Sequence, residues 1–244
     1  MAERAAIVTG ASTGIGLAIA RMLGEEGHAL TINSRRPEKI QAAHDELAGA
    51  GHEVHLVAGD VGHEEVVRRV VGKHRERFGR LDVLVNNAGV GIGQPIGELD
   101  TKRMDVQLGA NLRSTMLFYR ESLELLKAAG REHRNALVVN TASVAGKQGE
   151  AWLSVYSATK AGVVAFTQAM NRELKDTGVK STALCPAFVD TPMTDFVKEH
   201  VPAEGMIRTQ DIAEAVRMLL CLSPGCVIPE LVFTAPGGAL GLPS

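Results

Sequence analysis

Short apolar runs alternate with longer stretches in which apolar residues recur every three to four positions, from one end of the chain to the other. Residues 5–9, Ala-Ala-Ile-Val-Thr, read as a strand buried on both faces, and 17–26 as a helix with Ile19, Ala20 and Leu23 on one side. The pattern then predicts strand 29–33, helix 37–48 with Pro37 in its first turn, strand 53–58 and helix 64–78. Next come strand 81–85, stopped by Asn86-Asn87-Ala88-Gly89, a helical stretch over about 101–129 and strand 136–139. Helix 152–177, strand 180–184, helix 209–222 and a last strand near 231–234 complete the series. Continuous apolar strands joined by helical crossovers imply a parallel sheet covered on both faces, an α/β doubly wound architecture. No Pro/Ser-rich linker, charge block or internal repeat interrupts it, so the expectation is one domain over 1–244. The segment 187–208, with Pro192, Pro202 and Gly205, has no evident sheet role. It is either a lid over a ligand crevice or an ordinary surface excursion.

Charge narrows the partners. With 26 Lys+Arg against 28 Asp+Glu the net charge is −2, which gives no electrostatic footprint for nucleic acid. No apolar run approaches the roughly 20 residues of a membrane span, and the first apolar stretch is too short for a signal peptide. Cys185, Cys221 and Cys226 form no CxxC pair, which suits a reducing cytoplasm and predicts no metal site. The 26 glycines are the compositional excess. Gly10, Gly14 and Gly16 lie with Ser12, Thr13 and Ile15 between the first strand and first helix, where backbone N–H groups and a helix N-terminus can cradle a pyrophosphate. The same residues also fit a GxSxG nucleophile elbow, but that fold places several strands before it, and here there is one. A P-loop is excluded because no Lys-Ser/Thr follows the last glycine.

The Gly10-xxx-Gly14-x-Gly16 spacing resembles the TGxxxGxG loop of the short-chain dehydrogenase/reductase family. Asn86-Asn87-Ala88-Gly89, Asn111, Ser143 and the run Tyr156-Ser157-Ala158-Thr159-Lys160 agree with it, from Ile7 to about Thr191, with a weaker echo at Pro236-Gly237-Gly238. The resemblance implies a single-domain Rossmann fold with a seven-stranded parallel sheet. It also implies Asn111, Ser143, Tyr156 and Lys160 as catalytic residues, Asn111 helping to hold a water relay to the lysine. Physical chemistry supports the central pair: residues four apart on a helix share a face, and an ammonium favours the phenolate of a neighbouring tyrosine. Ser143, at a strand end, can donate to a carbonyl oxygen while Tyr156 supplies the proton.

Ser34-Arg35-Arg36 ends the second strand without an acid to bind a ribose 2′-hydroxyl, and offers guanidinium groups for a 2′-phosphate; NADPH/NADP is therefore expected over NAD. By resemblance, Asp60 and Val61 contact adenine, Asn87, Ala88 and Gly89 support the ribose side, and Pro186, Val189 and Thr191, with Tyr156 and Lys160, complete the cofactor site. Asp60 could equally cap a helix. Ala187 stands where the family usually has glycine, and Pro229-Glu230 and Ala235-Pro236 replace its commoner Thr-Gly and Asp-Gly-Gly. Ile92, Gln94, Gln148, Trp152, Phe188 and Met193 are candidate pocket residues or plain packing. The expected activity is NADPH-dependent reduction of a small-molecule ketone, a 3-oxoacyl thioester among the candidates. Alcohol dehydrogenation on a sugar, steroid or other hydroxy compound, and a non-catalytic NADP-binding sensor, remain alternatives. A cytoplasmic homodimer or homotetramer is implied by resemblance.

Overall fold

A computed structural model describes residues 3–199 and 201–236. Seven strands, β1 (Ala5–Thr9), β2 (Ala29–Ser34), β3 (Val54–Ala58), β4 (Val83–Asn86), β5 (Ala136–Thr141), β6 (Val179–Pro186) and β7 (Glu230–Phe233), form one sheet in the order β3-β2-β1-β4-β5-β6-β7. Every pairing is parallel. Helices α1 (Gly14–Glu25), α2 (Pro37–Gly49), α3 (Glu64–Phe78), α4 (Thr101–Gln107), α5 (Ser114–His133), α6 (Ser154–Glu173) and α7 (Thr209–Leu220) make the crossovers. This is the single-domain, doubly wound α/β fold with seven parallel strands that the sequence and the resemblance predict. Strand order reverses between β1 and β4, and the crevice beyond their carboxyl ends is where such sheets bind ligands.

The sheet's two faces explain its apolar strands. Val8, Leu30, Ile32, Val83 and Val85 pack with Ile19 and Leu23 of α1 and Ile212 and Val216 of α7, while Ile7, Leu84 and Val138 pack with Val67 and Val70 of α3 and Phe118 of α5. Two predicted elements are corrected. Strand 81–85 begins two residues late, because Asp82 spends its carboxylate as a tie, accepting from the Ala5 N–H (2.8 Å), Arg80 and His133. The stretch predicted as one helix from 101 to 129 divides into α4, a π-helical turn over Leu108–Arg113, and α5. One extra residue per turn preserves the apolar face, so the periodicity does not register it. Among the described residues no helix is long and apolar enough to cross a membrane.

His74 of α3 is fully buried beneath β2. Its Nε2 lies 2.7 Å from the Arg80 carbonyl, so that nitrogen donates, and Nδ1, 2.8 Å from Thr31 Oγ1, accepts. Burial pushes the ring down to about 4. The unfolded chain therefore holds the extra proton between the ordinary value near 6.5 and about 4. The stabilisation is complete above that window and lost as pH falls through it, on the order of 2–3 kcal/mol by pH 4.5. Urea melts of His74→Gln should show a flatter stability profile from pH 7 to 4.5 than wild type. A residual slope remains from His28, also lowered by burial. Parallel profiles would rule His74 out as the acid-sensitive group.

Candidate active site

The carboxyl ends of β1 and β4 are bolted together by Thr9. Its hydroxyl accepts from the N–H groups of Asn87 and Ala88 (each 3.0 Å), and the Asn87 amide donates to the Thr9 and Gly10 carbonyls (3.2 and 3.3 Å). The turn that follows leaves no room for side chains. Gly10 sits at φ +64°, where a Cβ would come 2.9 Å from the Ala88 Cα, and a Cβ on Gly16 would overlap the Gly10 carbonyl. Helix α1 then opens with Thr13 making no side-chain cap and with no acid in its first turn, so its leading N–H groups are left for an anion. Ser12 and Ser34 join the loop to the end of β2 (2.9 Å), and Arg35 and Arg36 lie exposed just beyond. Asp60 accepts from Gly62 N–H (2.9 Å) and stands 4.0 Å from Arg35, whereas Val61 is buried in the core under α3.

The second half of the crevice comes from β5, β6 and α6. Tyr156 and Lys160 share a face of α6, with the Lys160 Nζ 5.5 Å from the centre of the tyrosine ring and donating to the Thr141 carbonyl (2.7 Å). Lys160 is buried, and that burial pushes its ammonium down to about 8 against a small opposing influence of Cys185. Burial also raises the Tyr156 phenol above its ordinary value, with a hydrogen bond from Ser143 acting the other way. This corrects the expectation that the ammonium lowers the phenol: in the free chain desolvation outweighs it and the shift is upward. Ser143, past the end of β5, accepts from Ala145 N–H (3.2 Å) and contacts the Pro186 carbonyl (3.4 Å).

Asn111 occupies the π-helical turn and is almost wholly buried. Both its N–H donors are used: Nδ2 donates to the Val90 carbonyl (2.9 Å) and Thr159 Oγ1 (3.1 Å), while Oδ1 accepts from Val90 N–H (2.7 Å). Thr159 in turn donates to the Tyr156 carbonyl (2.7 Å). Neither Thr9 nor Thr159 was singled out from sequence, although each is a polar residue inside an otherwise legible motif. Side-chain amide contacts thus make Asn111 a clamp between the loop after β4 and α6.

The remaining candidates spread around the opening. Pro186 and Val189 are buried, Val189 bridging to Ile207, and Thr191 caps the short turn Pro192–Val197 while lying against Gly14. Ala187 donates to the Phe233 carbonyl (2.9 Å) at negative φ, so its methyl group is accommodated. Gly89 and Gly91 pass close to Lys160 and Tyr156 respectively. Gln94 N–H donates to the Trp152 carbonyl (2.7 Å), bringing those two loops together; Trp152 and Met193 are exposed, Ile92 and Phe188 half-buried, and Gln148 exposed. Gly237 and Gly238 of the C-terminal echo lie outside the described residues.

Comparison with known proteins agrees with this geometry. The family model described as short chain dehydrogenase matches residues 4–202. A protein of Streptomyces coelicolor named "Putative ketoacyl reductase" is 40% identical over 213 residues, 86% of this chain and 80% of that protein. Among solved structures, a variant of actinorhodin polyketide ketoreductase with NADPH superposes with a TM-score of 0.85 at 34% identity, over 96% of this chain and 97% of the other. An alcohol dehydrogenase of the archaeon Thermococcus sibiricus, complexed with 5-hydroxy-NADP, gives 0.85 at 31% identity over 95% and 96%.

Proposed function

The chain belongs to the short chain dehydrogenase family, and from that premise we propose that it is an NADPH-dependent reductase converting a ketone into a secondary alcohol. The observation that carries this reading is the Tyr156 ring with the buried Lys160 Nζ 5.5 Å from its centre, on the same side of the fold as Ser143 past the end of β5. A ketone reductase must deliver a proton, and the Tyr156 phenol is a group placed to do so. The relatives named as ketoacyl reductases, and the NADPH in the matched ketoreductase structure, support the same direction and cofactor.

The residues present fit the dinucleotide. The uncapped start of α1 and the Gly10–Gly16 turn would hold the pyrophosphate, Arg35 and Arg36 the 2′-phosphate, Asp60 the adenine side, Asn87 to Gly89 the ribose, and Pro186, Val189 and Thr191 the nicotinamide end. NADPH when bound supplies the hydride. The chain does the rest. Ser143 donates a hydrogen bond to the ketone oxygen, Tyr156 gives that oxygen its phenolic proton as it becomes a hydroxyl, and Lys160 stabilises the phenolate left behind until solvent restores the proton. Asn111 positions the Tyr156 backbone through Thr159. Segment 187–208 serves as the lid in this reading, and among its described residues Met193 and Phe196 are exposed apolar side chains that a substrate could cover. A cytoplasmic homo-oligomer, acting on a small carbonyl compound with neither nucleic acid nor membrane as partner, completes the proposal; the three unpaired cysteines favour that compartment.

Loss of NADPH absorbance against a panel of ketones and oxoacyl thioesters tests the reading, and binding of NADPH without turnover of any of them would defeat it. The cofactor assignment has its own test. Arg35→Ala should raise the KM for NADPH roughly tenfold and leave that for NADH nearly unchanged, because only the former carries the phosphate that a guanidinium grips. Equal changes for the two cofactors would remove Arg35 from the phosphate site.

A further inference from the structure

We propose that the Lys147–Glu230 ion pair is a positioning device for Ser143, clamping the loop that carries the hydroxyl between α6 and β7. The inference rests on the ketone-reductase reading and assigns it two residues outside the reacting groups.

Ser143 stands at the head of a single tight turn, Val144–Gly146, closed by Gly146 N–H to the Ser143 carbonyl (2.9 Å) and Lys147 N–H to the Val144 carbonyl (2.8 Å). The turn is seated on one side against α6. A Cβ on Gly146 would lie 2.6 Å from the Lys160 carbonyl carbon and 2.8 Å from Ala161 N, backbone atoms that cannot move aside without shifting the helix that bears Tyr156. On the other side, Lys147 Nζ reaches Glu230 Oε2 at 2.9 Å, and Glu230 is the first residue of β7, in register with Ala183 of β6. The Glu230 side chain is 17% exposed and that of Lys147 36%, so the carboxylate end of the contact is sheltered while the ammonium end meets solvent. Serine must hold its oxygen within a few tenths of an ångström of where negative charge develops. The base of the turn is held to β6 by Ala142 N–H to the Leu184 carbonyl (2.7 Å) and by Ser143 at the Pro186 carbonyl (3.4 Å), and the ion pair adds a fixed point at its far end, beyond Gly146.

The test is a charge-swap cycle on full-length enzyme with NADPH and a ketone that the wild type reduces. Glu230→Gln, which keeps the shape, and Lys147→Met should each lower kcat roughly three- to tenfold with KM for NADPH unchanged, the range that one well-placed contact can add to orientation. The double variant Lys147→Glu with Glu230→Lys should recover most of the lost kcat, and in Ser143→Ala enzyme the Glu230→Gln change should have no further effect on kcat. Wild-type kcat in Glu230→Gln, or an equal additional loss in the Ser143→Ala background, overturns the clamp. Wild-type protein that reduces no ketone overturns the underlying reading instead, so the two failures are distinct.

Discussion

Tyr156→Phe lowers kcat by about three orders of magnitude while the affinity for NADPH stays within about twofold. The variant keeps the ring that fills the site and removes only the oxygen that donates the proton, and positioned proton donors contribute on the order of 10²–10⁴ in rate. Burial sharpens the expectation. A phenol held above its ordinary value is the protonated species throughout the neutral range, so the wild-type reduction has its acid in place without first taking a proton up. Stability should barely change, because phenylalanine keeps the packed ring and removes a single oxygen. Single-turnover reduction with the variant, alongside fluorescence titration with NADPH, separates chemistry from binding. Turnover within tenfold of wild type would mean that another group delivers the proton. A companion change, Ser143→Ala, should cost about a hundredfold in kcat with little effect on KM, since its hydrogen bond strengthens as charge develops on the substrate oxygen.

The parts of this site that depend on spacing along one element were legible before any coordinates. Tyr156 and Lys160 four apart on a helix, and a glycine turn after the first strand, are local statements that the fold respects, although α1 begins at Gly14 and so takes Gly14 and Gly16 into its first turn. The inner strands could be read because β1, β2, β4, β5 and β6 are short apolar runs buried on both faces, a pattern that a parallel sheet enforces, while the edge strands β3 and β7 are only partly buried. Contacts made across the fold were not. Asn111 meets Val90 and Thr159, far away in sequence, and no periodicity announces that its amide is consumed in joining them. Thr9 looks like the polar end of a strand until Asn87 and Ala88 are seen to donate to it. The direction of the tyrosine's shift was missed for the same reason. The lysine is a neighbour on the helix and can be counted, whereas desolvation is set by everything that packs over the pair, including the loop through Gly91. Sequence gives the partner; only the fold gives the dielectric.

That same desolvation makes Lys160→Met a variant with opposite effects on activity and stability. Activity should drop about a hundredfold or more, because the phenolate formed during turnover loses the Lys160 ammonium that lies against its ring. Stability should rise. Burial pushes Lys160 down to about 8 from an ordinary value near 10.5, so below pH 8 the folded chain carries a charge that it holds less favourably than the unfolded chain does. A shift of that size corresponds to a cost on the order of 3 kcal/mol at pH 7. Methionine fills similar space without the charge and forfeits the charged hydrogen bond to the Thr141 carbonyl, a loss of about 1.5–3 kcal/mol. The balance favours the variant by up to about 1.5 kcal/mol at pH 7. The sign follows through with pH: between about 8 and 10.5 the unfolded chain holds the extra proton, so wild-type stability gains from Lys160 as pH rises, and the variant lacks that gain. Urea denaturation at pH 7 and pH 9.5 should therefore show the variant's advantage shrinking at the higher pH. If the substitution instead destabilises the protein at pH 7, the ammonium is better solvated or better paired than its burial implies, and it is held in the site by structure rather than at structure's expense.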